Sequence, residues 1–229
     1  METAEYALMD EAEQRMWWYR ALHARLLDAL SGVAGRLLDA GCGTGGLLAL
    51  LNQRRPDLVL TGVEWSPLAA TRARDKSGAD LVQGSVNTLP FADAAFHAAV
   101  DPAAALAELR RVLRPGGLLL VNMPAFAWLS SAHDRRVHNA RRVSATELQS
   151  WLAAAGFTGI RVRYWNSLLL PLMIAQRKIR ARRHGDVSDV VTFPPWLDAI
   201  LHGATALEHR LPFALPAGGS VLAIARVPD

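Results

Sequence analysis

Arg36-Leu37-Leu38-Asp39-Ala40-Gly41-Cys42-Gly43-Thr44-Gly45-Gly46 is the stretch on which the reading of this chain turns. Its first five residues suit a short buried strand, and Leu47 to Asn52 continues as an apolar helical run that stops before Pro56. Between them, Gly41, Gly43 and Gly46 stand at the G-x-G-x-x-G spacing. Glycine there permits positive φ and lets a ligand approach the backbone without meeting a Cβ. Dinucleotides and nucleosides share that need, and so do tight turns that bind nothing. The spacing alone leaves a nicotinamide-dependent oxidoreductase open. Two acids narrow the choice. Asp39 precedes the first glycine, where its charge would repel a pyrophosphate and suit an ammonium group. Glu64 follows the apolar run Leu58 to Val63, where a carboxylate can accept from both hydroxyls of a ribose. Together they describe a pocket for a nucleoside joined to an amino acid, without phosphates.

Working outward, strands and helices alternate. Residues 5 to 30 read as a helix with Leu22, Leu26, Leu27 and Leu30 at helical spacing behind Trp17-Trp18-Tyr19. Ser66-Pro67 supplies an N-cap and first turn for a helix ending near Gly78, and Asp80 to Gln83 is a third strand. Phe96 to Val100 is a fourth, followed by Asp101-Pro102 as cap and first turn of a helix carrying Leu106, Leu109 and Leu113, closed by Pro115-Gly116-Gly117. Leu118 to Asn122 is the next strand. Ser144-Ala145-Thr146-Glu147 has capping-box spacing and opens a helix through Ala155, with Gly156 as C-cap, leading to strand Ile160 to Trp165. Ser220 to Val227 is the last. This alternation predicts an α/β, doubly wound, mostly parallel sheet with ligands at the carboxyl ends of its strands. The expected organisation is one domain: an N-terminal helical cap over 1–35, a cofactor-binding core over 36–165, an appended helical insertion over 166–219 and a final strand over 220–229.

Leu37-Leu38-Asp39-Ala40-Gly41-Cys42-Gly43-Thr44-Gly45 resembles the first motif of class I S-adenosylmethionine-dependent methyltransferases. Leu89-Pro90-Phe91-Ala92-Asp93 with Phe96, and Leu106-Ala107-Glu108-Leu109-Arg110-Arg111-Val112-Leu113-Arg114-Pro115-Gly116-Gly117, resemble later motifs of type 11 and related methyltransferase domains. The resemblance covers roughly residues 36 to 165 and implies a Rossmann-like sheet of about seven strands with an antiparallel last strand. It implies S-adenosyl-L-methionine as cofactor. Gly41, Cys42 and Gly43 would then line the methionine part, Asp39 would hold its amino group and Glu64 the ribose. Trp65 would flank the adenine, and Ser85 and Val86 would stand at its edge, Ser85 replacing the acid relatives usually carry. Arg20 would reach the methionine carboxylate. His97 stands where relatives usually have another acid and reads as structural. Relatives also insert about ten residues after the fourth strand, where Val100 here runs straight into Asp101-Pro102, a join still long enough for a strand-to-helix turn. That departure motivates an alternative, a non-catalytic cofactor-binding or partner protein.

The activity implied is methyl transfer to an oxygen or nitrogen of a small or lipid-like metabolite. Positioning supplies most of the rate, and a protic acceptor also needs a base. His133 and His138 are the candidate catalytic groups, with Asp134 beside the first; a structural role for all three is the competing reading. No metal site is expected, because further ligands at a recognisable spacing are lacking.

The 229 residues, 51% hydrophobic and 20% charged, argue against disorder, collagen-like repeats and a coiled coil. The single thiol, Cys42, excludes an intramolecular disulfide and fits a reducing compartment, so a cytoplasmic location is expected. The acidic start, Met1 to Glu5, is followed by no apolar run of a secretory signal. Leu168 to Ala175, the longest strongly apolar stretch, is far short of the roughly 20 residues of a crossing helix. A net charge of +4 predicts no nucleic-acid partner. One basic cluster, Arg177, Lys178, Arg180, Arg182 and Arg183, follows the apolar stretch. Residues 168–183 therefore suit either a peripheral membrane contact or a packed helix with a solvated basic end.

Overall fold

Leu37, Leu38 and Ala40 are fully buried in β1 (Gly35–Ala40), as expected of a strand flanked on both sides by parallel neighbours. A computed structural model of the chain describes residues 10–13, 15–101, 105–129, 142–181 and 193–229. Among these, α1 (Trp17–Ala29) precedes β1, and α2 (Gly46–Arg54), β2 (Leu58–Glu64), α3 (Pro67–Ser77), β3 (Asp80–Gln83) and β4 (Phe96–Asp101) follow. Then come α4 (Leu106–Val112), β5 (Leu113–Pro124), α5 (Ala145–Ala154), β6 (Thr158–Trp165), α6 (Leu170–Ala181), α7 (Pro195–His209) and β7 (Ser220–Arg226).

The strands form one seven-stranded sheet in the order β3-β2-β1-β4-β5-β7-β6. The pairs β3-β2, β2-β1, β1-β4 and β4-β5 are parallel. β7 is antiparallel to β5: the Gly116 N–H donates to Val227 beyond one end of β7, and the Ala125 N–H donates to Gly219 before the other. The expected doubly wound sheet with an antiparallel last strand is therefore the observed one. Strand order reverses between β1 and β4, which places the ligand crevice of such a sheet beyond the carboxyl ends of β1 and its neighbours.

Local signals set several boundaries. Ser66 Oγ accepts the Ala69 N–H at 3.4 Å with Pro67 in the first turn, and Gly78 closes α3 in the left-handed conformation. Ser144 and Glu147 form the reciprocal capping box: the Ser144 N–H donates to Glu147 at 2.7 Å and the Glu147 N–H to Ser144 Oγ at 3.2 Å.

Three boundaries differ from the sequence reading. The helix expected over 5–30 is interrupted: residues 10–12 are helical, the chain turns at 13 and 15–16, and α1 resumes at Trp17, whose N–H Asp198, from α7, accepts at 2.7 Å. Asp101 is the last residue of β4, and the helix expected at Pro102 begins at Leu106 with Ala105 as its N-cap. Leu113 leaves α4 for β5, which advances five residues, Leu113 to Leu118, while β4 advances two, Phe96 to Ala98. Pro115-Gly116-Gly117 thus forms an irregularity within β5, held to the last strand by the Gly116 and Val227 N–H groups.

The chain forms two compact units. The first comprises Leu26–Asn122, Leu148–Val162 and Ala223–Asp229; it carries the glycine loop and Glu64. The second comprises Met1–Arg25, Met123–Glu147 and Arg163–Leu222. Its apolar centre is Trp17, Leu169 and Leu201. Arg25 is buried there over the Trp165 ring at 4.8 Å, donates to the Thr205 carbonyl at 3.0 Å and pairs with Glu208 at 3.7 Å. Glu208 also accepts the Ser167 and Leu168 N–H groups at 2.7 and 3.0 Å.

Candidate functional site

In the first unit the loop from β1 to α2 folds on the end of β2. The Gly41 and Cys42 N–H groups both donate to the Val63 carbonyl, at 2.8 and 3.0 Å. Gly41, Gly43 and Gly45 all have positive φ. Glu64 is buried and clasped: one carboxylate oxygen accepts the Gly43 N–H at 3.0 Å and the other the Ser66 N–H at 2.9 Å. Its own carbonyl accepts the Gly84 N–H at 3.1 Å, which ties the loop after β3 to the same corner. Asp39, equally buried, lies in register with Gly62 of β2 and Val100 of β4.

Close packing fixes this geometry. A Cβ on Gly45 would sit 2.7 Å from the Ala73 Cα, so the loop seats directly against α3. The space above Gly62 is filled by Leu81, Leu48 and Cys42, whose Cδ1, Cδ1 and Sγ atoms a Cβ would meet at 2.7, 2.8 and 2.9 Å. The thiol is thus packed inward. Thr44 is fully buried, and its hydroxyl has no hydrogen-bond partner. Neither Thr44 nor the Ser66 N–H stands out in the sequence; the fold buries the first and brings the second onto Glu64.

Trp65 follows the clasp and is 73% exposed. Ser85 and Val86 are half-buried in the loop after β3. Ser85 Oγ accepts the Asn87 N–H at 3.2 Å, an ordinary turn contact that occupies one of its two lone pairs. The next loop is pinned by Arg111, whose guanidinium donates to Glu108 at 2.9 and 2.8 Å, to the Phe91 and Leu89 carbonyls at 2.7 and 2.9 Å, and to Asp93 at 2.9 Å. These hydrogen bonds from Arg111, with the Leu89 N–H at 2.7 Å, hold the Glu108 carboxyl down to about 2. Leu89 to Asp93 and Glu108 to Arg111 are therefore one scaffold. His97 is structural, as expected: its Nδ1 accepts the Arg36 N–H at 3.1 Å, and burial lowers its pKa.

In the second unit Arg20 donates to Asp198 at 3.0 Å, beside the Trp17 N–H on the other carboxylate oxygen. Trp18 packs edge-on to Tyr19 and against Trp165, with ring centroids 5.1 and 5.6 Å apart. The structure thus brings Asp39, Gly41, Cys42, Gly43 and Glu64 into one corner with Trp65 adjoining, and places Arg20 in an ion pair of the second unit. His133 and His138, with Asp134, lie outside the described residues.

The donor set of the first unit fits S-adenosylmethionine. Two buried carboxylates, Asp39 and Glu64, bracket a loop of glycines that carries no cation, which suits an ammonium group and a ribose diol and disfavours a pyrophosphate.

A family model described as a methyltransferase domain matches residues 38–121. A demethylmenaquinone methyltransferase of Deinococcus radiodurans is 34% identical over 122 residues, 47% of this chain and 49% of that protein, so the chain spans about half that relative's length. A putative methyltransferase of Encephalitozoon cuniculi is 30% identical over 169 residues, 68% of this chain and 72% of that protein. A chain from the complex between the Haloferax volcanii Trm112 methyltransferase activator and a putative methyltransferase shares the fold. Its TM-score is 0.64 at 19% identity, over 99% of this chain and 95% of that one. With the motif, the sheet and the relatives in agreement, this chain belongs to the class I S-adenosylmethionine-dependent methyltransferases.

Proposed function

We propose that this protein methylates an oxygen or nitrogen atom of a small or lipid-like metabolite. The observation that carries the reading is the clasp on Glu64, which holds a carboxylate in fixed orientation beside the glycine loop. A carboxylate has about four lone-pair sites, so one oriented by backbone N–H groups is chemically suited to accept a ribose hydroxyl as well. S-adenosylmethionine supplies, when bound, a methyl group activated by a sulfonium. The residues of the first unit bind and orient. The Gly41 to Gly43 backbone lies along the methionine part and Asp39 receives its ammonium. Trp65 covers the adenine face, and Ser85 and Val86 border its edge.

Such a site works chiefly by alignment, which supplies roughly 7–11 kcal/mol of barrier lowering without any protein nucleophile. A hydroxyl or ammonium acceptor must also lose a proton, and His133 and His138 are the residues to which we assign that role. The Deinococcus radiodurans relative, a demethylmenaquinone methyltransferase, supports a metabolite as acceptor.

The reading is tested by incubating the full chain with S-adenosylmethionine labelled in its methyl group and a crude cell lysate, then separating small molecules, nucleic acid and protein by solvent partition and mass. Label in a small molecule, absent with Glu64→Ala, is the expected result. Label recovered only in nucleic acid or protein would overturn it.

A further inference from the structure

Helix α7 of the second unit buries Leu201, Thr205 and Glu208 and leaves an apolar stripe on its opposite side. At about 100° per residue that side passes through positions 196, 200, 203 and 207, with 199 and 210 on one margin. Those positions hold Trp196, Ile200, Gly203, Leu207, Ala199 and Arg210, and all six are exposed. Trp196 is 65%, Ile200 60% and Leu207 61% open. Arg210 keeps helical backbone angles, so its side chain continues the same side, and it makes no ion pair among the described residues.

A helix packed on one side of a globular unit should be polar on the other. Here no polar side chain interrupts the stripe before Arg210 at its end. Its chemistry excludes two occupants. A helix lying on an anionic bilayer needs cations beside its apolar strip, and a nucleic acid needs a basic face. α7 from Pro195 to His209 has no Lys or Arg and two acids, Asp198 and Glu208.

A second copy of the same helix complements the stripe. The stripe has an indole at residue 196 and an unpaired guanidinium at 210, roughly four turns on. Antiparallel pairing across a twofold axis sets each indole against Leu207 and Arg210 of the other copy, a cation–π contact made twice. Ile200 of both copies then lies near the axis, and the two helix dipoles run in opposed directions. Area sets the strength. Trp196 alone leaves on the order of 150 Å² open. The whole stripe offers about 400 Å², the size of patch that marks an interaction site. That is about half of the roughly 800 Å² a side of a stable dimer, so the association is reversible and micromolar.

We propose that α7 pairs antiparallel with α7 of a second copy of this chain, in a reversible dimer centred on Trp196, Ile200 and Leu207. The inference stands apart from the methyl-transfer reading, because Asp39, the glycine loop and Glu64 belong to the other unit.

Sedimentation velocity of the full chain is followed over a dilution series from nanomolar to hundreds of micromolar. A monomer–dimer equilibrium with a micromolar dissociation constant is expected. Trp196→Ala removes the aromatic anchor and should weaken it roughly tenfold or more. Ile200→Glu and Ile200→Arg each set like charges across the axis and should leave monomers, whereas an equimolar mixture of the two should dimerise. Melting temperature at low concentration and S-adenosylmethionine binding should match the parent in all three variants. Monomer at every concentration of the parent, parent-like association of Trp196→Ala or Ile200→Glu, or a folded mixture that stays monomeric would each overturn the proposal. If these failures come with intact S-adenosylmethionine binding, the dimer alone falls and the methyl-transfer reading stands.

Discussion

Glu64 at the end of β2 accepts the Gly43 N–H at 3.0 Å, so the acid to which we assign the ribose also sets the shape of the glycine loop. Its other oxygen takes the Ser66 N–H at 2.9 Å, which fixes the turn into α3. One carboxylate thus joins two loops, and its loss should be felt in both binding and stability.

Glu64→Gln presents an amide NH2 to one of two N–H donors and can satisfy only the other. A hydrogen bond to a charged group is worth about 1.5–3 kcal/mol. At roughly 2–4 °C per kcal/mol for a chain of this size, the melting temperature should fall by about 3–12 °C. Affinity for S-adenosylmethionine should fall at least tenfold, measured by titration calorimetry. Parent-like binding by Glu64→Gln would show that the clasp is not part of the cofactor site.

Gly45 is fixed by both its conformation and its surroundings. Its φ is +84°, and an added Cβ would lie 2.7 Å from backbone in α3. Gly45→Ala should destabilise the protein by about 2 kcal/mol or more. Gly203 in α7 is the control: a Cβ there meets nothing within 4 Å, and Gly203→Ala should stabilise by up to about 1 kcal/mol. Urea denaturation of the two variants should shift in opposite directions.

Stability should fall on acidification in two steps. Burial lowers the His23 pKa to about 4 from 6.5, so the unfolded chain takes up that proton first. The stability this neutral imidazole confers is present above 6.5 and is lost as pH falls toward 4. Glu108, held at about 2 against 4.5, contributes stability that is present above 4.5 and lost as pH falls toward 2. His23→Leu should flatten the upper step and Glu108→Gln the lower one, read from melting temperatures between pH 7.5 and 3. A single step unaffected by either substitution would refute the assignment.

The Arg25 to Glu208 pair in the second unit is buried, so removing one partner leaves a charge without its counterion. Glu208→Gln should cost about 3–5 kcal/mol, whereas Arg25→Met/Glu208→Leu should cost much less than the sum of the two single changes. A double-mutant cycle by urea denaturation measures the difference; additive losses would show that the pair does not couple.

The sheet and the glycine corner were legible because their signals are local. Ser66-Pro67 and the Ser144 to Glu147 box act over one helical turn, and the acids Asp39 and Glu64 sit at strand ends that periodicity marks. The break before α1 was not, since the carboxylate that caps Trp17, Asp198, lies 181 residues away in sequence. Asp101-Pro102 reads as a helix start by composition, yet tertiary pairing draws Asp101 into β4 beside Val121. The sequence placed an acid at Glu64, while the donors that orient it depend on how two loops meet. Arg25 shows the same limit, because nothing near it in the chain announces Glu208 or Trp165 as partners.

Titration calorimetry of the full chain with S-adenosylmethionine, with S-adenosylhomocysteine and with NAD tests the account most directly. Saturable one-to-one binding of the first two, lost in Glu64→Ala, and no heat from NAD at matched concentration is the predicted result. Tight NAD binding with no response to either sulfur nucleoside would contradict it.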